Sequence, residues 1–160
     1  LKHTISGLVK NRAGILAQVV GLFKKFDVNI KSVAVSETES IETSRLTIVV
    51  EGHDKEVREV TAGIKKLRDV VEIDDLARKE FLDREMALVK VQFEPDVINH
   101  LTQIAEVFGA QVIAMGKETI TFEMSGDEDR VDGFINAVMS FGIRALARSG
   151  RVALRQADEV

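Results

Sequence analysis

No cysteine, tryptophan or tyrosine occurs among the 160 residues, and there is a single proline. Without cysteine there is no disulfide framework, no thiolate metal site and no cysteine nucleophile. Without Trp and Tyr the commonest base-stacking platforms are missing. The 22 Lys and Arg are interspersed with 26 Asp and Glu, giving a formal charge of −4. A nucleic-acid surface requires a basic patch, so no nucleic-acid partner is expected. No apolar run approaches the roughly 18–20 residues of a membrane span, and no signal or transit segment is visible, so no membrane association is expected and a cytoplasmic location is the default. Phosphate-cradling glycine motifs and serine-nucleophile signatures are also missing, which argues against a catalytic site in this chain.

What is present is ordinary globular composition, 45% apolar and 30% charged. The length suits one domain or two units of roughly 80 residues, small enough that such units lean on each other or oligomerise. The pattern repeats once. In the first half, Lys2 to Lys10 alternates as a strand. Ile15, Leu16, Val19, Val20, Phe23 and Phe26 then share one helical face. Val28 to Ser36 and Thr43 to Glu51 return to strand periodicity around the polar loop SETESIETS. Asp54 is placed to cap a helix running to about Leu67, and Val70 to Leu76 closes the half. In the second half, Arg84 to Phe93 reads as a strand. A helix follows, with Pro95 in its first turn and Gly109 just past its end. Gln111 to Met115 and Thr119 to Met124 flank a Gly116-Lys117 turn. Asp127 opens a last helix that Gly142 closes, and Ile143 to Ala147 and Arg151 to Leu154 form a strand or a broken pair. Ala77 to Asp83 reads as the linker.

Each half therefore reads strand–helix–strand–strand–helix–strand. That is the α+β ferredoxin-like plan, an antiparallel sheet with both helices on one face and the other face open. Open faces and exposed edges favour pairing with a second copy.

The segment LVKNRAGILAQVVGLFKKFDVNIKSVAV, Leu8 to Val35, carries the candidate site. A helix start offers unpaired N–H donors and partial positive charge, which suits a carboxylate. Gly14 keeps that approach uncrowded. Asn11 either caps the helix or offers a ligand a donor and an acceptor. Asn29 either bonds its own turn or completes the site of a neighbouring copy. His3, His53 and His100 lie at no metal-ligand spacing, and no metal site is expected. The acids at Asp74-Asp75 and at Glu37, Glu39 and Glu42 read as solvated. Arg144, Arg148 and Arg151 are either solvated edge residues or a surface for a partner protein.

Taken together, VKNRAGILAQVVGLFKKFDVNIKSVAV, SRLTIVVEG, KKLRDVVEIDDL, REMALVKV and FGIRALARSGRVAL closely resemble the small regulatory subunits of acetolactate (acetohydroxyacid) synthase, over essentially the whole chain. The resemblance implies an amino-acid-sensing ACT domain over residues 1–77 and that family's C-terminal ferredoxin-like domain over 78–160. It implies homodimers through paired ACT domains. It also implies valine bound between them by Asn11, Ala13, Gly14, Ile15 and Leu16 of one protomer and Asn29 and Ile30 of the other. Ala13 stands where many relatives carry Pro or Ser. The implied partner is the catalytic large subunit, which carries thiamine diphosphate, Mg²⁺ and FAD; this chain would hold no cofactor of its own. It would activate that subunit and confer feedback inhibition by a branched-chain amino acid, with the acidic loop Ser36 to Ser44 in the contact. The alternative is a free-standing ACT-type sensor controlling another protein.

Overall fold

Alternation along the first strand decides which side of the first sheet becomes core. In β1 (Lys2–Lys10) Ile5 and Val9 are buried against α1 (Ile15–Lys25) and α2 (Asp54–Lys65), together with Val19, Phe23, Val57, Val60 and Ile64 from those helices. Leu46, Ile48 and Val50 of β3 (Thr43–Glu51) lie level with Gly7, Ile5 and His3 and join the same core. With β2 (Asn29–Glu37) and β4 (Val70–Asp75), the sheet has the order β2-β3-β1-β4, every pairing antiparallel.

The structure, a computed structural model, describes residues 1–156 and Asp158. It comprises two compact units, Leu1–Leu82 together with the C-terminal segment from Arg151, and Asp83–Gly150.

The second unit repeats the plan. It contains β5 (Phe81–Gln92, beginning at the end of the first unit), α3 (Ile98–Phe108), β6 (Gln111–Met115), β7 (Thr119–Gly126), α4 (Glu128–Met139) and β8 (Ile143–Arg148). The order β6-β7-β5-β8 matches the first sheet strand for strand. Its core is Val89, Val91, Ile120, Phe122 and Met124 from the sheet against Leu101, Val131, Phe134 and Val138 from the helices. The Asp127 carboxylate accepts from the Arg130 N–H at 3.0 Å, capping α4 as its position in the sequence suggests. Gly109 ends α3 at φ 72°, a left-handed conformation that glycine enters without Cβ cost. The expected α+β pair of ferredoxin-like units is present.

Several local expectations are corrected. Asp54 does not cap α2; the cap position is His53, and the Asp54 carboxylate goes to His3 Nε2 at 3.1 Å and to Arg78 at 3.3 Å. Phe81 to Asp83 are not linker but the first residues of β5. Pro95 precedes α3 rather than lying in it, and the helix begins at Ile98 after a turn closed by Val97 N–H to Glu94 C=O at 3.0 Å.

The sheet face of the first unit away from the helices is also not fully open. The terminal strand β9 (Val152–Arg155) and the preceding Arg151 meet it. Arg151 is 8% exposed and donates from Nη1 to Thr4 Oγ1 at 2.8 Å, while the Ala153 N–H donates to Thr47 Oγ1 at 3.4 Å. That contact accounts for the burial of Thr4 and Thr47, threonines on a side that sequence alternation alone marks as solvated.

Candidate functional site

The corner that follows β1 is built by four backbone contacts. Lys10 N–H donates to Asp69 C=O at 2.7 Å, Asn11 N–H to Glu42 C=O at 2.8 Å, Arg12 N–H to Lys10 C=O at 2.9 Å and Ile15 N–H to Arg12 C=O at 3.3 Å. Gly14 occupies the cap position of α1 at φ 87° and ψ −8°, in the left-handed region. No side chain caps the helix, and no acid lies in its first turn. The first bond of the helical ladder runs from Gln18 N–H to Gly14 C=O, so the N–H groups of Leu16 and Ala17 have no intrahelical acceptor. A Cβ added at Gly14 would have nothing within 4 Å. An exposed helix start with open space before it and no neutralising carboxylate suits an anion.

Asn11 does not cap that helix. Its Nδ2 donates to Glu37 Oε1 and to the Ile41 carbonyl, each at 3.1 Å, tying the corner to the loop between β2 and β3. Glu37 was expected to be solvated; it instead accepts from Asn11, a pairing across 26 residues that no local pattern announces. The loop itself is held by Thr38 N–H to Thr43 C=O at 3.1 Å and by the Thr38 and Thr43 hydroxyls 2.6 Å apart.

Of the other site residues, Ala13, Gly14 and Leu16 are exposed at the corner, whereas the Ile15 side chain is 7% exposed and belongs to the core. Ile15 can therefore offer a ligand its backbone but little of its side chain. Asn29 and Ile30 lie elsewhere. Asn29 is level with Glu51, and Glu51 with Lys2, while Glu37 is level with Ser44 and Asn11 bonds Glu42. Asn29 thus sits at one end of the sheet and Asn11 at the other, roughly 25 Å apart for eight strand steps. One chain alone brings Asn11, Ala13, Gly14, Ile15 and Leu16 together and leaves Asn29 and Ile30 apart from them.

The remaining clusters have close polar partners. His3, buried, has Nδ1 at 2.8 Å from Asp75 Oδ2 as well as Nε2 at 3.1 Å from Asp54, so Asp75 is not simply solvated. Asp74 pairs with Lys79 at 2.6 Å and with Arg155. Among the described residues no group of three or more His, Cys, Asp or Glu is arranged to hold a metal ion. The three arginines read as a row also have separate partners. Arg144 is 3.7 Å from Glu118, Arg151 reaches Thr4, and Arg148 binds Glu85 at 2.5 Å and Asp132 at 2.8 Å. The Glu85 hydrogen bond, reinforced by Asp132, makes the Arg148 guanidinium still harder to deprotonate than usual. Arg151 is therefore buried and leaves the row, while Arg144 and Arg148 stay exposed with acidic partners.

Comparison with known proteins bears on both units. Residues 84–157 match the family model described as small subunit of acetolactate synthase, and residues 5–72 match the AHAS small subunit-like ACT domain. A probable acetolactate synthase small subunit of Archaeoglobus fulgidus is 37% identical over 96% of each chain. The chain belongs to the acetolactate synthase small-subunit family. The acetolactate synthase small subunit of Mycobacterium bovis is 36% identical over 95% of this chain and 90% of its own length. The crystal structure of the acetolactate synthase small subunit from Thermotoga maritima superposes with a TM-score of 0.86 at 32% identity, covering 99% of both chains. Residues 5–72 of the first unit are accordingly an ACT domain of this family, while its segment from Arg151 falls in the region matched by the other model. Membership carries a regulatory role; among the described residues no helix is long and apolar enough to cross a membrane.

Proposed function

We propose that this chain is the valine-sensing regulatory subunit of acetolactate synthase. It binds the catalytic subunit, raises its activity and makes it subject to feedback inhibition in branched-chain amino acid biosynthesis. The observation that carries the reading is the uncapped, acid-free start of α1 behind a left-handed Gly14, in a chain of this family. The N–H groups there take the effector carboxylate, Asn11 and Asn29 hold its polar groups, and Leu16 and Ile30 contact a branched apolar side chain. Both proteins work in the cytoplasm. Thiamine diphosphate, Mg²⁺ and FAD reside in the catalytic subunit, and bond-making stays there.

Dimerisation completes the site. β2 is an edge strand, and edges present unpaired N–H and C=O groups that a second copy satisfies. Two β2 strands lying antiparallel place Asn29 of one protomer level with Glu37 of the other, beside Asn11. This arrangement reconciles seven site residues with the separation of Asn11 and Asn29 inside one chain. The exposed loop Ser36 to Ser44 lies at that end of the sheet and supplies part of the catalytic-subunit contact.

The test is acetolactate formation by the reconstituted enzyme. Asn29→Ala, at an exposed position, is expected to activate the catalytic subunit normally and to raise the valine concentration for half-inhibition about tenfold, the cost of one hydrogen bond to a charged group. Unchanged valine inhibition in that variant would remove Asn29 from the site. Loss of activation together with unchanged folding would instead place Asn29 in the subunit contact.

A further inference from the structure

Asn11 is held in one orientation by its partners. Both protons of its Nδ2 are used, one by Glu37 Oε1 and one by the Ile41 carbonyl, each 3.1 Å away. A backbone carbonyl and an ionised carboxylate only accept hydrogen bonds. Turning the amide over would set Oδ1 against two oxygens, so the network assigns the amino group to the loop side. The Asn11 backbone N–H is committed as well, to the Glu42 carbonyl at 2.8 Å. What the side chain retains is Oδ1, which has no hydrogen-bond partner among the described residues. A ligand at this corner therefore meets Asn11 as an acceptor.

We infer that Glu37 is a positioning residue of the effector site: by occupying the donors of Asn11 it presents Oδ1 to the effector's ammonium group, which makes the site select amino acids over 2-oxo acids of the same shape. The inference rests on the amino-acid effector reading above and adds to it a polarity. The start of α1, rich in N–H groups, receives the carboxylate; Asn11, set by Glu37, receives the ammonium. A 2-oxo acid offers a carbonyl oxygen where the ammonium would be. Two acceptors then face each other with no proton between them, and the hydrogen bond that the ammonium makes is lost. The distinction has functional weight because the proposed catalytic partner handles 2-oxo acids, which share the carboxylate of the effector. A sensor reading the carboxylate alone would respond to substrate.

The experiment is calorimetric titration of the 160-residue chain with valine and with 3-methyl-2-oxobutanoate, which differ only at C2, an ammonium-bearing carbon in one and a carbonyl in the other. Wild type is expected to bind valine at least tenfold more tightly, the cost of one lost charged hydrogen bond. Glu37→Ala leaves the Ile41 carbonyl to hold the amide, so the flipped orientation becomes more populated; valine affinity is expected to fall about fivefold, and the preference over the oxo acid to shrink by about the same factor. Glu37→Gln still offers an oxygen to Nδ2 and is expected to restore both values to within about twofold of wild type. Amide spectra of β2 and β3 check that each variant is folded, and the Thr38–Thr43 contacts of the loop do not involve the Glu37 side chain. A Glu37→Ala chain that keeps the wild-type preference overturns the inference, including the case in which both affinities fall in parallel, since a role confined to holding the loop does that. No valine binding by the wild-type chain, alone or with its catalytic subunit, overturns the effector reading on which the inference rests.

Discussion

Gly14→Asp is expected to give a folded chain that still activates the catalytic subunit and no longer responds to valine. The fold tolerates the change for a local reason: the new Cβ enters open space, and the cost is that of a non-glycine residue at φ 87°, about 1–2 kcal/mol, with Asp among the residues that bear it best. The ligand does not tolerate it. In the proposed site the aspartate carboxylate takes the place assigned to the effector's own carboxylate at the start of α1. Two like charges 4 Å apart repel by about 4 kcal/mol at an effective dielectric of 20, and solvent at this exposed corner reduces that figure. A rise of about 100-fold or more in the half-inhibitory valine concentration follows, measured on the reconstituted enzyme. Gly14→Ala separates the two causes: it carries the same backbone cost without the charge and is expected to lose much less sensitivity. Equal loss in both variants would attribute the site to turn geometry rather than to anion binding.

The largest expected effect on stability lies in the second unit. Phe134 is fully buried in α4, with its ring 5.5 Å from Phe122 and 5.9 Å from Phe108, both at edge-to-face angles. Phe134→Ala removes the ring from the centre of that cluster, and the sheet and two helices around it cannot collapse into the space. The expected destabilisation is about 3–5 kcal/mol, part of it from the lost aromatic pairs. Hydrogen exchange reads this directly: amides of β5 and β7 should lose protection by about 100-fold to several thousand-fold. Unchanged protection in those strands would mean that Phe134 is not the centre of the core described above.

Much of this architecture was legible because its signals are local. The span Thr43–Glu51 of β3 is the one its alternation marks, and the carboxylate of Asp127 caps α4 by accepting from the Arg130 N–H three residues on. What was missed depends on partners distant in sequence. Asp54 has the chemistry of a cap, but it pairs with His3, 51 positions away, and with Arg78. The covering of the first sheet by Arg151 and Ala153 joins positions more than a hundred residues apart, and no periodicity encodes it. Phe81 to Asp83 read as linker because charge surrounds them, yet they alternate in exposure as a strand does. The candidate site divides in the same way. Asn11 and Gly14 stand out from a short motif, while Glu37, which fixes Asn11, looks like any acid in a polar loop. Ile15 lies on the apolar stripe and is buried as that stripe implies, whereas Leu16, placed on the same face, stays 40% exposed, because a broad stripe does not reveal which of its first residues faces the sheet.

The proposed effector site is shared between two protomers, with Asn11 from one and Asn29 from the other. Mixed dimers test it most directly. Asn11→Ala and Asn29→Ala chains are each expected to bind valine weakly, since every site in either homodimer lacks one asparagine. Unfolded and refolded together, they form heterodimers in which one site has both asparagines and the other has neither. Calorimetry on the isolated heterodimer should then recover wild-type affinity at one valine per dimer. A heterodimer that binds no better than either parent would contradict the shared site and place both asparagines' roles within a single chain.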